Sequence, residues 1–80
     1  MSVGATIRML RKKSGLTQKQ LAVKMYTSQE QISIYETGKT DPSVKIFEQI
    51  LNVLGYELVV RRRENEQGET DKGIAYTQQL

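Results

Sequence analysis

In the stretch TSQEQISIYETGK, residues 27–39, Gln29, Glu30 and Ser33 fall on one side of a helical turn, with Ile34 at the edge of the same face. A Gln side chain offers a donor and an acceptor together and so fits adenine N6 and N7, while a Glu carboxylate accepts from cytosine N4. A Ser hydroxyl bonds to either kind of group, and an Ile methyl can meet the thymine methyl. Each good base contact discriminates by about 1–3 kcal/mol. Thr27, Ser28, Lys39 and Thr40 flank these residues, and Gln18 stands upstream. All five are of the kind that hold phosphates, which place a protein on a duplex without reading its sequence.

Catalytic chemistry is poorly supplied by comparison. The chain has no cysteine and no histidine. That removes disulfides, thiolate metal sites, the cysteine nucleophile and the usual acid/base of neutral pH. The carboxylates of the body, Glu30, Glu36, Asp41, Glu48 and Glu57, share no i, i+3 or i, i+4 spacing that would hold a metal or couple an acid to a base. Neither a Gly-rich phosphate loop nor a nucleophile elbow is present in the sequence. The expectation is a non-enzyme with no catalytic residue, no metal and no cofactor. No apolar run approaches the roughly 18–20 residues of a membrane span, and no signal-peptide core opens the chain. A cytoplasmic protein with no membrane partner is expected.

The elements that must position the readers follow from apolar spacing. Val3, Ile7 and Leu10 recur at helical intervals among Arg8, Arg11, Lys12 and Lys13, and Gly15 is a natural stop. Thr17–Gln20 fits a capping box, opening a short second helix whose narrow face is Leu21, Ala22 and Met25 and which ends at about Lys24 or Met25. Ser28–Gln31 fits another, opening a third helix with Ile32 and Tyr35 inward and Gly38 at its end. Two short helices so close together cannot stack coaxially, so the chain turns sharply between them, a helix-turn-helix layout. After the Thr40–Ser43 loop, Val44, Phe47, Ile50, Leu51 and Leu54 form an apolar stripe closed by Gly55.

The period then changes. Tyr56–Arg61 alternates, with Tyr56, Leu58 and Val60 on one face. A lone strand has nowhere to place its backbone donors and acceptors, so this one calls for a partner outside the chain, and a second copy is the economical choice. Residues 1–63 carry 11 Lys/Arg against 5 Asp/Glu, and residues 64–80 carry one against four. A basic body, of a kind that steers polyanions to a surface, thus bears an acidic tail. The division expected is a helix-turn-helix domain over 1–63, including a dimerisation strand at about 56–62, and a flexible tail over 64–80.

Solvation alone accounts for outward Gln and Ser, and capping accounts for Ser28 and Gln31 without any ligand. Two capped short helices around a tight turn, inside a basic body, favour a recognition helix over that plainer reading.

IRMLRKKSGLTQKQLAVKM followed by SQEQISIYETGKTDPSV resembles the lambda-repressor/Cro-type helix-turn-helix family, also called the xenobiotic-response-element family, over roughly residues 3–55. The resemblance implies an all-α, compact DNA-binding domain that works as a dimer on palindromic operators. It implies base contacts from Gln29, Glu30, Ser33 and Ile34, and a Gln18 that touches phosphate and braces Gln29. It also pairs Arg11 with Glu36 as a structural ion pair; the plainer reading of that pair is one surface bridge of small worth.

Two departures stand out. Tyr26 occupies a turn position where the family commonly has glycine, often with positive φ. Either the turn differs here or tyrosine accepts that backbone, and an exposed side chain there can touch the sugar-phosphate chain. Second, the family usually continues into a fifth helix, where this chain has YELVVRRR. VKIFEQILNVLGYELVV looks like the HipB-type antitoxins, in which a strand after the fourth helix pairs across the dimer two-fold. In this chain Tyr56, Leu58, Val59 and Val60 would form that strand, and Arg61–Arg63 would guard its end. That likeness implies a kinase-like toxin partner and repression of the shared operon.

The expectation is therefore four helices followed by one strand paired across a homodimer, acting as a sequence-specific repressor of a palindromic operator and as the antitoxin of a HipBA-type operon. The alternatives are a stand-alone or phage-type repressor without a toxin, and a protein-interaction module with a vestigial helix-turn-helix.

Overall fold

The computed structural model describes residues 2–63. The tail expected over 64–80 lies outside the described residues, as does Met1. Four helices follow in order: α1 Val3–Lys13, α2 Gln18–Lys24, α3 Gln29–Thr37 and α4 Val44–Val53.

Each helix begins on a hydroxyl that satisfies an orphan backbone donor. The backbone N–H of Ala5 donates to Ser2 Oγ, that of Gln20 to Thr17 Oγ1, that of Gln31 to Ser28 Oγ and that of Ile46 to Ser43 Oγ, all at 3.0–3.1 Å. Only the cap of α2 is a full reciprocal box, with the Thr17 N–H donating to Gln20 Oε1 at 2.9 Å. The box expected at Ser28 is a half-box: Gln31 makes no return bond to the cap, so its side chain is spare.

The four helices also end alike. A residue in left-handed backbone follows each, and the next N–H reaches back five residues to an orphan carbonyl. Gly15, Gly38 and Gly55 serve α1, α3 and α4, with φ of 76°, 83° and 93°. Leu16 N–H then donates to Arg11 O, Lys39 N–H to Ile34 O, and Tyr56 N–H to Leu51 O. Tyr26 does the same after α2: its φ is 57°, and Thr27 N–H donates to Ala22 O at 3.0 Å. So the turn keeps the glycine-type geometry with tyrosine in it.

The core is Ile7, Leu21, Ala22, Ile32, Ile50 and Leu54, with Val3, Leu10, Leu16, Met25, Tyr35, Ile46 and Phe47 packed around it. α1 and α2 both lie on α3, while α4 closes the bundle against α1. Val44, expected in the stripe of α4, is instead 73% exposed. It sits at the first helical position, beyond the edge of the core, and Ile46 packs in its place.

Gly4 makes the closest helix–helix approach. It is buried, and a Cβ there would meet the backbone oxygens of Tyr35 and Glu36. This glycine therefore lets α1 ride directly on the last turn of α3.

Among the described residues no strand is formed. Residues 56–63 leave α4 without helix or ladder, and Tyr56, Val59 and Val60 are 41%, 39% and 48% exposed. The described residues supply no second strand for a ladder, which is the physical reason this alternating segment forms none among them.

Candidate nucleic-acid interface

The site is organised from a buried charge outward. Glu36 is the last inward position of α3, one turn beyond Ile32, and its side chain is 1% exposed. Arg11 approaches from the last turn of α1. Its Nε donates to Glu36 Oε2 at 2.7 Å and its Nη2 to Oε1 at 3.1 Å, while Nη1 donates to the Leu16 carbonyl at 2.8 Å. The Arg11 side chain is 9% exposed. A bidentate guanidinium–carboxylate pair, with a further guanidinium donor taken by a backbone carbonyl, is the arrangement in which burial of two charges is tolerated. The plainer expectation of a surface bridge is therefore corrected: the resemblance named the right partners, but apolar spacing gave no sign that they are buried.

From Glu36 the bonds continue toward solvent. Gln18, at the first turn of α2 and half-buried, donates from Nε2 to Glu36 Oε1 at 3.1 Å. Gln29, at the first turn of α3 and exposed, donates from Nε2 to Gln18 Oε1 at 3.4 Å. Three helices thus contribute to one chain of polar contacts, Arg11 to Glu36 to Gln18 to Gln29. It begins in the core and ends at the exposed start of α3.

The other candidate residues fall around that end. Glu30 is exposed beside Gln29, while Ser33 and Ile34 are half-buried one turn further along α3. Thr27 and Ser28 are exposed at the entry to α3, and Lys39 and Thr40 are exposed beyond its exit. Ser28 is already engaged through its hydroxyl as the cap of α3. Tyr26 stands between the two helices with 97% of its surface exposed.

The described residues contain no group of three or more Asp and Glu placed to hold a metal ion. None of their helices is long and apolar enough to cross a membrane. What the surface offers is hydrogen-bonding groups, with Glu30 and Lys39 as its charges.

A family model described as helix-turn-helix matches residues 7–61. The chain belongs to the helix-turn-helix family. That membership covers all of α2, the turn and α3, and carries the coarse assignment of a DNA-binding regulator. A relative in Yarrowia lipolytica, which bears the name multi-protein-binding factor 1, is 39% identical over 57 residues. The match takes in 71% of this chain but 38% of that protein.

Sequence reasoning missed Gly4, whose signal was a glycine inside an otherwise regular helical pattern. It also missed the bond from Gln18 to Glu36. Nothing in the spacing of residues on separate helices announces that bond.

Proposed function

We propose that the protein is a sequence-specific repressor that binds a palindromic operator as a homodimer. The observation that carries this reading is the first turn of α3, where Gln29 and Glu30 are exposed while Ile32 and Glu36 anchor the opposite face. Docked in the major groove, α3 sets Gln29 and Glu30 against base edges, with Ser33 and Ile34 following. Gln18, Thr27, Ser28, Lys39 and Thr40 hold phosphates on either side. Tyr26, held out in the turn, lies against the sugar-phosphate chain.

Dimerisation runs through Tyr56, Leu58, Val59 and Val60, in a strand over about 56–62 that forms when a second copy supplies its ladder. Two recognition helices then face successive major grooves about 34–36 Å apart. Repression is by occlusion of a promoter, and no catalytic step, metal or cofactor takes part. The setting proposed is cytoplasmic.

The resemblance of VKIFEQILNVLGYELVV to the HipB-type antitoxins supports a further role in neutralising a kinase-like toxin from the same operon. The second reading, a protein-interaction module, is favoured by one observation, the name of the Yarrowia relative.

The deciding experiment titrates the protein against duplex from its own upstream region and against an unrelated duplex, at about 50 and 200 mM salt. A specific regulator prefers its own region and loses affinity steeply with salt. Equal and weak binding to both duplexes removes the regulator reading. Co-purification with the product of a neighbouring kinase-like frame separates antitoxin from stand-alone repressor.

A further inference from the structure

Glu36 is almost fully shut off from solvent, so it cannot meet a base itself. We propose that it nevertheless determines which base Gln29 reads, by fixing the polarity of the Gln18 amide between them. This rests on the reading above that α3 enters the major groove.

The polarity is imposed by what each group can do. A carboxylate accepts hydrogen bonds and donates none. Gln18 must therefore turn its nitrogen toward Glu36, and its Nε2 does lie 3.1 Å from Oε1. The other end of the same amide is an oxygen, which only accepts. Gln29 faces that oxygen, and so turns its own nitrogen toward Gln18, at 3.4 Å. One N–H of Gln29 is consumed, and the second is left side by side with Oε1. A donor and an acceptor so paired fit adenine, whose N7 accepts and whose N6 donates. Guanine presents two acceptors, O6 and N7, and would be matched only by a Gln29 with its nitrogen turned outward. Arg11 keeps the first member of the series in place by gripping both carboxylate oxygens. Glu36 and Gln18 are thus positioning residues for specificity, and Gln29 is the reader.

The test uses the full chain and a pool of randomised DNA duplexes. The base pair read by Gln29 is located as the one at which Gln29→Ala loses its preference. Affinity is then compared for the four bases at that pair. Wild type prefers adenine there by a factor of about 5 to 150, the range one good bidentate contact supplies. In Gln18→Lys the ammonium donates to Glu36 and offers Gln29 only donors, so Gln29 turns its oxygen inward. Preference for adenine over guanine then falls by about tenfold or more, with guanine gaining. Gln18→Met removes the brace without reversing it, so the preference narrows and guanine gains nothing. Glu36→Gln shifts selection in the same direction as Gln18→Lys.

Thermal melts accompany every variant. Where Glu36→Gln fails to fold, Gln18→Lys carries the test, because it leaves the buried pair whole. An unchanged adenine preference in folded Gln18→Lys overturns the proposal, as does a wild type that selects guanine or thymine at that pair. A wild type that selects no sequence at all overturns the DNA-reading assignment itself. The two failures are distinct, one appearing in the variants and the other before any variant is made.

Discussion

A Cβ on Gly4 would stand 2.8 Å from the carbonyl oxygen of Glu36, so α1 and α3 meet there backbone to backbone. Two effects of Gly4→Ala oppose each other. Alanine is the better helix former by about 1 kcal/mol. The added methyl must also displace main chain rather than a flexible side chain, and overpacking of that kind costs about 1–3 kcal/mol. The steric term wins, and Gly4→Ala lowers stability by up to about 2 kcal/mol in urea unfolding. A gain in stability would mean that the close approach is not obligatory.

Tyr26 gives the opposite sign. The three glycines that end the other helices adopt positive φ freely, whereas an L side chain there costs about 1–2 kcal/mol. With 97% of its surface exposed, the ring recovers none of that by packing within the described chain. Tyr26→Gly removes the strain but adds freedom to the unfolded chain, so the net gain is about 0.5–1 kcal/mol. Strain kept without local repayment gathers at functional positions. The same substitution is therefore expected to raise the melting temperature and weaken DNA binding together. Improved stability with unaltered affinity would remove Tyr26 from the phosphate-side surface.

These two residues show where the sequence was and was not legible. Most helix ends could be read because capping residues or glycines mark them in the sequence. Ser2, Thr17, Ser28 and Ser43 cap the helices, glycines end three of them, and apolar residues recur at helical intervals between. Local chemistry of that kind needs no knowledge of the rest of the chain. The turn at Tyr26 was open to two readings, because tyrosine does not declare a positive φ and the geometry is imposed by α2 and α3 together. The depth of Arg11 and Glu36, and the path from Glu36 through Gln18, depend on how three helices cross. Only the family resemblance pointed to the pair and to Gln18 as a brace for Gln29, and nothing pointed to the link from Gln18 to Glu36. The segment after Gly55 has strand periodicity, but a ladder needs a second edge that the described residues do not contain.

The buried pair makes a quantitative expectation. Arg11→Met leaves Glu36 charged, almost fully enclosed and without its guanidinium, which costs about 3–5 kcal/mol. For a small domain that is a large share of the whole stability. Changing both residues, as Arg11→Met with Glu36→Leu, removes the stranded charge and recovers most of the loss. A double-mutant cycle in urea measures the difference. Additive losses would place the pair in a far better solvated setting than its exposure indicates.

Dimerisation is tested at the other end of the chain. Val59→Pro and Val60→Pro each delete a backbone donor, one of the two from the proposed intersubunit ladder, and proline is tolerated in sheets only at edges and bulges. Sedimentation velocity should show a shift from dimer toward monomer in at least one of them, since alternate residues of an antiparallel pair face the partner's backbone. Both lie beyond α4, so the helical content seen by circular dichroism stays as in wild type. An undisturbed dimer in both variants would sink the strand and leave the helices to provide any association.

Gln29→Ala separates the proposed base reader from the scaffold. Gln29 is exposed, and the hydrogen bond of its side chain runs to another side chain, so truncation leaves caps and core untouched. Stability should move by no more than about 0.5 kcal/mol. Discrimination at one or two base positions should fall by about 1–3 kcal/mol each. Affinity for unrelated duplex, and its dependence on salt, should stay as in wild type, because those come from phosphate contacts that Gln29 does not make. A uniform loss across all sequences would instead make Gln29 a phosphate-side residue and shift base reading to Glu30, Ser33 and Ile34.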